Sequence, residues 1–259
     1  MNFKILTDAL LEDYIKAIGE LPLDKLDKTE KTELSVDYFQ FYKSVSSVYS
    51  SKIEGEDIDF DSYFKHKFLN VPFQPDYTRK ADDLYAAYDF IDNHALTFEN
   101  IQKAHIILSR NLLPENQQGT IRSNLMFVIN KEDKIEYVAA HPAIVKEELD
   151  KLFYDINLLR NKQLNSFEIF YYASFIHLVF VKIHPFQDGN GRTARLIEKW
   201  FLLEKLGQKA VAIQLEKNYY QQLTDYYANI KKLGLEYDSL DYRQSLDFLL
   251  MTAKQLKIN

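Results

Sequence analysis

From His184 to Arg195 the chain reads His184-Pro185-Phe186-Gln187-Asp188-Gly189-Asn190-Gly191-Arg192-Thr193-Ala194-Arg195, which puts a base, a carboxylate, two glycines and two guanidinium groups in one short stretch. Those residue types suit a phosphate chain. Gly189 and Gly191 remove the Cβ where a backbone must approach a ligand closely, and a helix that starts here presents free N–H groups to an anion. Arg192 and Arg195 fall three apart on that helix, so both can face one ligand with forked donors matched to phosphate oxygens. Asp188 could hold a divalent ion against those phosphates. His184, with an ordinary pKa near neutrality, could take a proton from a hydroxyl.

The elements that must position these groups are helical. Only 7 Gly and 6 Pro interrupt the chain, and apolar residues recur at three and four in many places, so about eight helices are expected. Leu6, Leu10, Tyr14 and Ile18 mark one, and Tyr38, Phe41, Tyr42, Val45 and Val48 mark a longer one ending near Ser50. Tyr77 to Asn93 and Thr97 to Arg110 form a helical pair, with Thr97 an N-cap. Asn165 and Glu168 make a capping box for a helix that is apolar almost all round, a core helix ending near Ile183 before Pro185. The next helix runs from Asn190 to Leu206 and stops at Gly207. Between Leu125 and Ala140 the pattern turns strand-like: Met126 to Ile129 and Ile135 to Val138, joined by the charged turn Asn130 to Lys134, predict a small hairpin whose edges are free to pair.

Two phosphate motifs do not fit. The segment from Gly189 to Ala194 formally satisfies the dinucleotide-binding fingerprint, but a helix rather than a strand precedes it, and no Gly-Lys-Ser/Thr follows the glycines. A zinc site built on His177, His184 and Asp188 lacks a third strong ligand at motif spacing. The plainest alternative is a helix–helix turn with solvated arginines, the usual fate of any one of these residues but not of all together.

Bulk properties narrow the classes. With 32 Lys plus Arg against 38 Asp plus Glu the net charge is -6, so there is no general attraction to nucleic acid or an anionic membrane, and any basic site is local. Cysteine is absent, which removes disulfides, a thiol nucleophile and Cys-ligated zinc. Asp8, Glu12, Asp13, Lys16 and Glu20 interrupt the first stretch, so it is not read as a signal or membrane segment, and a cytoplasmic protein is expected.

His184 to Arg195 resembles the signature of the Fic family, written His-Pro-Phe-x-Asp/Glu-Gly-Asn-Gly-Arg-x-x-Arg, with every defining position filled. The likeness extends to Ala173, His177, Phe180 and Ile183, to Gly119 and Arg122, and to the hairpin, covering roughly residues 97 to 210. It implies an all-α, Fic-type helical bundle with a β-hairpin flap beside the active site. The layout expected is a single helical domain over 1–259: N-terminal helices over 1–75, a Fic core over 97–210 and C-terminal helices over 211–259. The resemblance further implies AMP transfer from ATP to a Ser, Thr or Tyr hydroxyl of a target protein, or of the chain itself, with release of pyrophosphate. His184 would be the general base, Phe186 a packing anchor and Asp188 the ligand of Mg²⁺ (or Mn²⁺). Gly189, Asn190 and Gly191 would form the anion hole, and Arg192 and Arg195 would hold the β and γ phosphates. Tyr220 is a nucleotide-side candidate. The flap residues Phe127, Val128, Ile129, Tyr137 and Val138 would receive the target peptide by strand addition.

Ser50-Ser51-Lys52-Ile53-Glu54-Gly55 resembles the family's inhibitory motif, placed as in the class with an N-terminal inhibitory helix. That likeness implies a brake in which Glu54 takes Arg195 away from the γ-phosphate; the plain reading is a helix end with Gly55 at C′. Removal of AMP in the same pocket, with Glu54 orienting a water, stays open, as does a non-catalytic ATP-sensing regulator or toxin-antitoxin component. Direct nucleic-acid binding and membrane association are not expected, and a helical tail from Asp238 to Leu256 is a candidate dimerisation element.

Overall fold

The computed structural model describes residues 1–24, 26, 37–69, 71, 75–129 and 134–258, and among these the protein is helical with one small antiparallel sheet. Among the described residues there are eleven α-helices: α1 (Leu11–Ile18), α2 (Tyr38–Ile53), α3 (Phe60–Leu69), α4 (Pro75–Ile91), α5 (Phe98–Leu108), α6 (Pro142–Arg160), α7 (Ser166–Ile183), α8 (Asn190–Leu206), α9 (Leu215–Gln221), α10 (Leu223–Lys231) and α11 (Leu246–Ile258). Strands β1 (Phe127–Ile129) and β2 (Ile135–Val138) lie between α5 and α6.

The centre is α7. Its capping box is complete: Glu168 N–H donates to Asn165 Oδ1 at 3.0 Å, and Asn165 N–H donates to Glu168 Oε2 at 2.8 Å. From Ile169 to Ile183 every residue is buried, which explains why an apolar stretch long enough to cross a membrane serves here as a core helix. α8 packs along it most extensively, and α1, α6 and α11 cover other faces. α2 lies on α4 and α9 and also touches α8, so the N-terminal part leans directly on the loop between α7 and α8.

Three expectations change. More helices form than the eight expected, because short, poorly periodic segments such as α9 and α10 become helical once their faces are buried. α2 continues past Ser50 to Ile53, which puts Ser50 and Glu54 one turn apart on one side of the chain. The tail is not one helix from Asp238: short 3₁₀ turns at Tyr237–Ser239 and Tyr242–Gln244 precede α11, with the Asp241 carboxylate accepting from Arg243 N–H.

The hairpin pairs Phe127 with Val138, Val128 with Tyr137 and Ile129 with Ile135. Of the turn expected at Asn130 to Lys134, residues 130–133 lie outside the described residues. The outer edge of β2 is not free: Val138 N–H donates to Leu235 O at 2.7 Å and Val138 also bridges Glu236. The segment after α10 blunts that edge, leaving β1 as the open one among the described residues.

Candidate active site

The turn from α7 to α8 is built by what its sequence forbids. Pro185 cannot continue the helix, and His184 closes it at φ 54°, the one non-glycine positive φ among the described residues. Such a conformation persists only where neighbours hold it. Arg122 supplies much of that hold: Nε donates to His184 O at 2.6 Å, Nη2 to Ala140 O at 2.5 Å, and its own N–H to Pro185 O at 2.9 Å. The Asn190 side chain closes the loop on itself, accepting from Phe186 N–H and donating to Phe186 O, both at 2.8 Å. Because that amide is engaged, the groups Asn190 offers to an anion are those of its backbone, with Gly191 and Arg192, in the first turn of α8.

Phe186 is fully buried and stacks on His105 with ring centroids 3.8 Å apart. His105 Nδ1 accepts from Gly119 N–H at 2.8 Å, so its Nε2–H donates to Asp188 O at 2.9 Å. Burial lowers the His105 pKa to about 4, which keeps that neutral tautomer. Gly189 sits at φ 76°, where a Cβ would meet Leu108 and His105 at 3.2 and 3.3 Å. Sequence reading passed over His105; the signal was a lone imidazole on the apolar face that Ile101, Ala104 and Leu108 define on α5.

Around Arg195 every guanidinium nitrogen has a partner. Nη2 donates to Glu54 Oε1 at 2.5 Å and to Ser50 O at 3.2 Å, Nε donates to Ser50 Oγ at 2.9 Å, and Nη1 donates to Tyr226 Oη at 3.3 Å. The Glu54 carboxylate also presses on the loop, since a Cβ on Gly191 would stand 2.5 Å from its Oε1. Burial works against ionisation of Glu54, but Arg195 and Arg192 outweigh it and hold its pKa below the usual value. For Arg195 burial likewise opposes the charge, and Glu54 overcomes it. Gly55 follows at φ 88°, so the helix-end reading of Gly55 and the ion pair of Glu54 hold together in one structure.

Arg192 is treated differently. Its Nη2 reaches Glu56 Oε1 at 3.3 Å, the same oxygen that accepts from Lys80 at 2.6 Å, while its Nε is buried with no hydrogen-bond partner. An orphaned guanidinium donor beside a helix N-terminus fits an arriving anion. Glu56 was not anticipated from the sequence, because it lies beyond the motif and meets Arg192 only through the fold.

His184 departs from the expectation of an unshifted base. Burial lowers its pKa to about 4, so it is neutral at physiological pH. Its Nδ1 lies 2.9 Å from Tyr137 Oη and 3.2 Å from Val181 O. Tyr137, expected on the docking face, is 5% exposed and points its hydroxyl at the His184 imidazole. Phe127 and Ile129 are 48% and 56% exposed and leave the apolar outer face of the flap open, with Val128 half-buried behind them.

Tyr220 lies against α2, its ring tilted at 54° to that of Tyr49 with centroids 5.6 Å apart and Lys52 over its face. Its neighbour Tyr219 is the buried one, donating to Glu198 Oε2 at 2.8 Å. His177 belongs to that core network: Nδ1 meets Glu198 at 2.6 Å and Nε2 meets Tyr226 Oη at 3.0 Å, which ties the underside of Arg195 to α7. The Asp188 carboxylate is exposed at the mouth of the loop, with Oδ1 accepting from Gly189 N–H at 2.6 Å. No group of three or more His, Cys, Asp or Glu that could hold a metal occurs among the described residues. One exposed carboxylate does suit Mg²⁺, which uses one or two carboxylates and completes its shell with phosphates and water.

Residues 77–202 match the family model for the Fic/DOC family. "Protein adenylyltransferase Fic" of Aedes aegypti is 42% identical over 67 residues, 25% of this chain and 13% of that protein. "Protein adenylyltransferase fic-1" of Caenorhabditis briggsae is 27% identical over 144 residues, 56% of this chain and 25% of that protein. These matches span a quarter or less of the length of the relatives. A Fic family protein from Desulfovibrio desulfuricans superposes with a TM-score of 0.76 at 17% identity, covering 100% of this chain and 76% of that one. A fragment of Fic-1 from Caenorhabditis elegans gives 0.64 at 17% identity, covering 97% and 72%. The filled loop signature, the matched model and the shared fold agree, and residues 77–202 of the chain form a Fic/DOC-family domain.

Proposed function

We propose that the protein is an adenylyltransferase restrained by its own α2, moving AMP from ATP to a Ser, Thr or Tyr hydroxyl of a target protein. The observation that carries this reading is the 2.5 Å ion pair between Glu54 and Arg195, set against Gly191 in the mouth of an otherwise complete phosphate loop. A carboxylate sits where the terminal phosphate of a nucleotide would meet that guanidinium.

The residues divide the work as follows. Backbone N–H groups of Asn190 to Arg192 and the free Nε of Arg192 receive phosphate oxygens, and Arg195 takes the γ-phosphate once Glu54 withdraws. Asp188 would hold Mg²⁺, which when bound would offset the charge of the phosphates. His184, neutral, accepts the proton of the incoming hydroxyl while its oxygen bonds to the α-phosphorus. The bond from that phosphorus to the β-phosphate oxygen breaks, and pyrophosphate departs with the electron pair. With Glu54 in place the triphosphate cannot settle fully, and a displacement of about 1 Å at the reacting centre costs roughly a hundredfold in rate.

The deciding experiment compares labelled AMP incorporation by wild type and by the Glu54→Gly chain, with His184→Ala in the same background as control. Incorporation that rises with Glu54→Gly and vanishes with His184→Ala supports the reading; equal incorporation by the first two removes the brake. A second reading, release of AMP from a modified target, draws support from the ionised state of Glu54, which suits a carboxylate that orients water. Release that is lost on Glu54 substitution would favour it.

A further inference from the structure

His184 followed by Pro185 has a consequence one turn back. In an α-helix the Val181 carbonyl would accept from the N–H of residue 185, and proline has none. That buried carbonyl must find other donors. Two are in place: Tyr137 Oη at 3.0 Å and His184 Nδ1 at 3.2 Å, themselves 2.9 Å apart.

This triangle has a restricted set of protonation states. The carbonyl only accepts, and the tyrosine hydroxyl carries one proton. If that proton goes to Val181 O, the tyrosine oxygen is left as an acceptor, and Nδ1 must carry a hydrogen for its contacts to be bonds. If Nδ1 were bare, it would face the carbonyl lone pairs at 3.2 Å, with one hydroxyl proton for two acceptors, in a site where an unmet polar group is costly. Tyr137 has little room to turn away, being 5% exposed with Lys182 Nζ 4.2 Å from its ring centroid.

We propose that Tyr137, reaching in from the flap strand, is a positioning residue that fixes the Nδ1–H tautomer of His184 and so leaves Nε2 as the nitrogen that takes the proton. The proposal rests on the reading of His184 as general base and adds the group that orients it, in the way a base is oriented by a third residue in other active sites. The same bonds serve the imidazolium after proton uptake, since Nδ1 keeps its hydrogen in both states. The hydroxyl also ties the base to β2, whose outer edge is held by Leu235 and Glu236.

The test uses the full chain with ¹⁵N-labelled histidine, His184 being assigned by loss of its signals in His184→Ala. Long-range proton–nitrogen correlations should show Nδ1–H in the native protein, and Tyr137→Phe should shift the Nδ1 resonance, because Nδ1–H then keeps Val181 O as its one partner. In the Glu54→Gly background, Tyr137→Phe should lower kcat by about tenfold or more while KM for ATP stays within about twofold. An Nε2–H tautomer in the native protein, or an unchanged kcat in the variant, overturns the proposal. If Tyr137→Phe does not fold, the native spectrum decides alone. If Glu54→Gly transfers no AMP, the functional reading fails, while the tautomer assignment still stands or falls on the spectrum.

Discussion

The loop from His184 to Arg195 and the end of α2 from Ser50 to Glu56 meet at one site but are held in different ways. The loop is pinned largely by backbone bonds and by buried groups: Arg122 on His184 and Pro185, Asn190 on Phe186, and His105 on Asp188. The end of α2 touches the loop through side-chain ion pairs, and the carboxylates of Glu54 and Glu56 are 29% and 30% exposed. Breaking the first set leaves buried polar groups unmet, whereas withdrawing the second returns partly exposed carboxylates to water and leaves the buried guanidiniums of Arg195 and Arg192 for an incoming anion to meet. A fixed loop with a removable occupant is what the proposed brake requires.

That contrast can be attacked at points of decreasing effect. His184→Ala in a Glu54→Gly chain should cut AMP incorporation by roughly a hundredfold to ten-thousandfold, measured with labelled ATP, and a smaller loss would mean that His184 is not the base. Phe186→Ala should cost about 3–5 kcal/mol in denaturant unfolding, because it opens a cavity under the loop and unstacks His105. A mild cost there would contradict a rigid loop. Glu54→Gly should raise transfer by about a hundredfold and lower stability in the absence of nucleotide, because the buried Arg195 charge loses its carboxylate.

Acid should loosen the loop. The His184 and His105 pKa values lie at about 4 in the folded protein against an ordinary value near 6.5, so between those values the unfolded chain binds more protons. Stability is therefore lost as pH falls from 6.5 toward 4. Glu54, with its pKa lowered, adds to the loss at the acid end of that range. A melting temperature that stays flat across the window would show that these imidazoles are not held neutral. The smallest effect is expected of Glu56→Gln, which should tighten ATP binding a few-fold by freeing Arg192, as calorimetry would report.

Much of this was legible along the chain. Asn165 and Glu168 announced the start of α7, Pro185 its end and Gly207 the end of α8, because caps and breakers act within a few residues. The loop signature was equally local. What sequence could not supply was the company each group keeps. Tyr137 reads as one position in an alternating strand, and only the packing of β2 on α7 turns its hydroxyl to His184 rather than outward. Glu56 and Tyr226 carry no motif, yet they lie against Arg192 and Arg195 from segments 136 and 31 residues away.

The order and types of residues from 184 to 195 by themselves determined a turn suited to anions and carrying an imidazole, since proline, glycine and paired arginines impose that geometry and charge wherever they fold. Tertiary structure alone decided the state of that site: that Glu54 occupies it, that Arg192 keeps a donor free, and that burial lowers the pKa of His184. These depend on distance and desolvation, and both are set by packing between segments far apart in the chain.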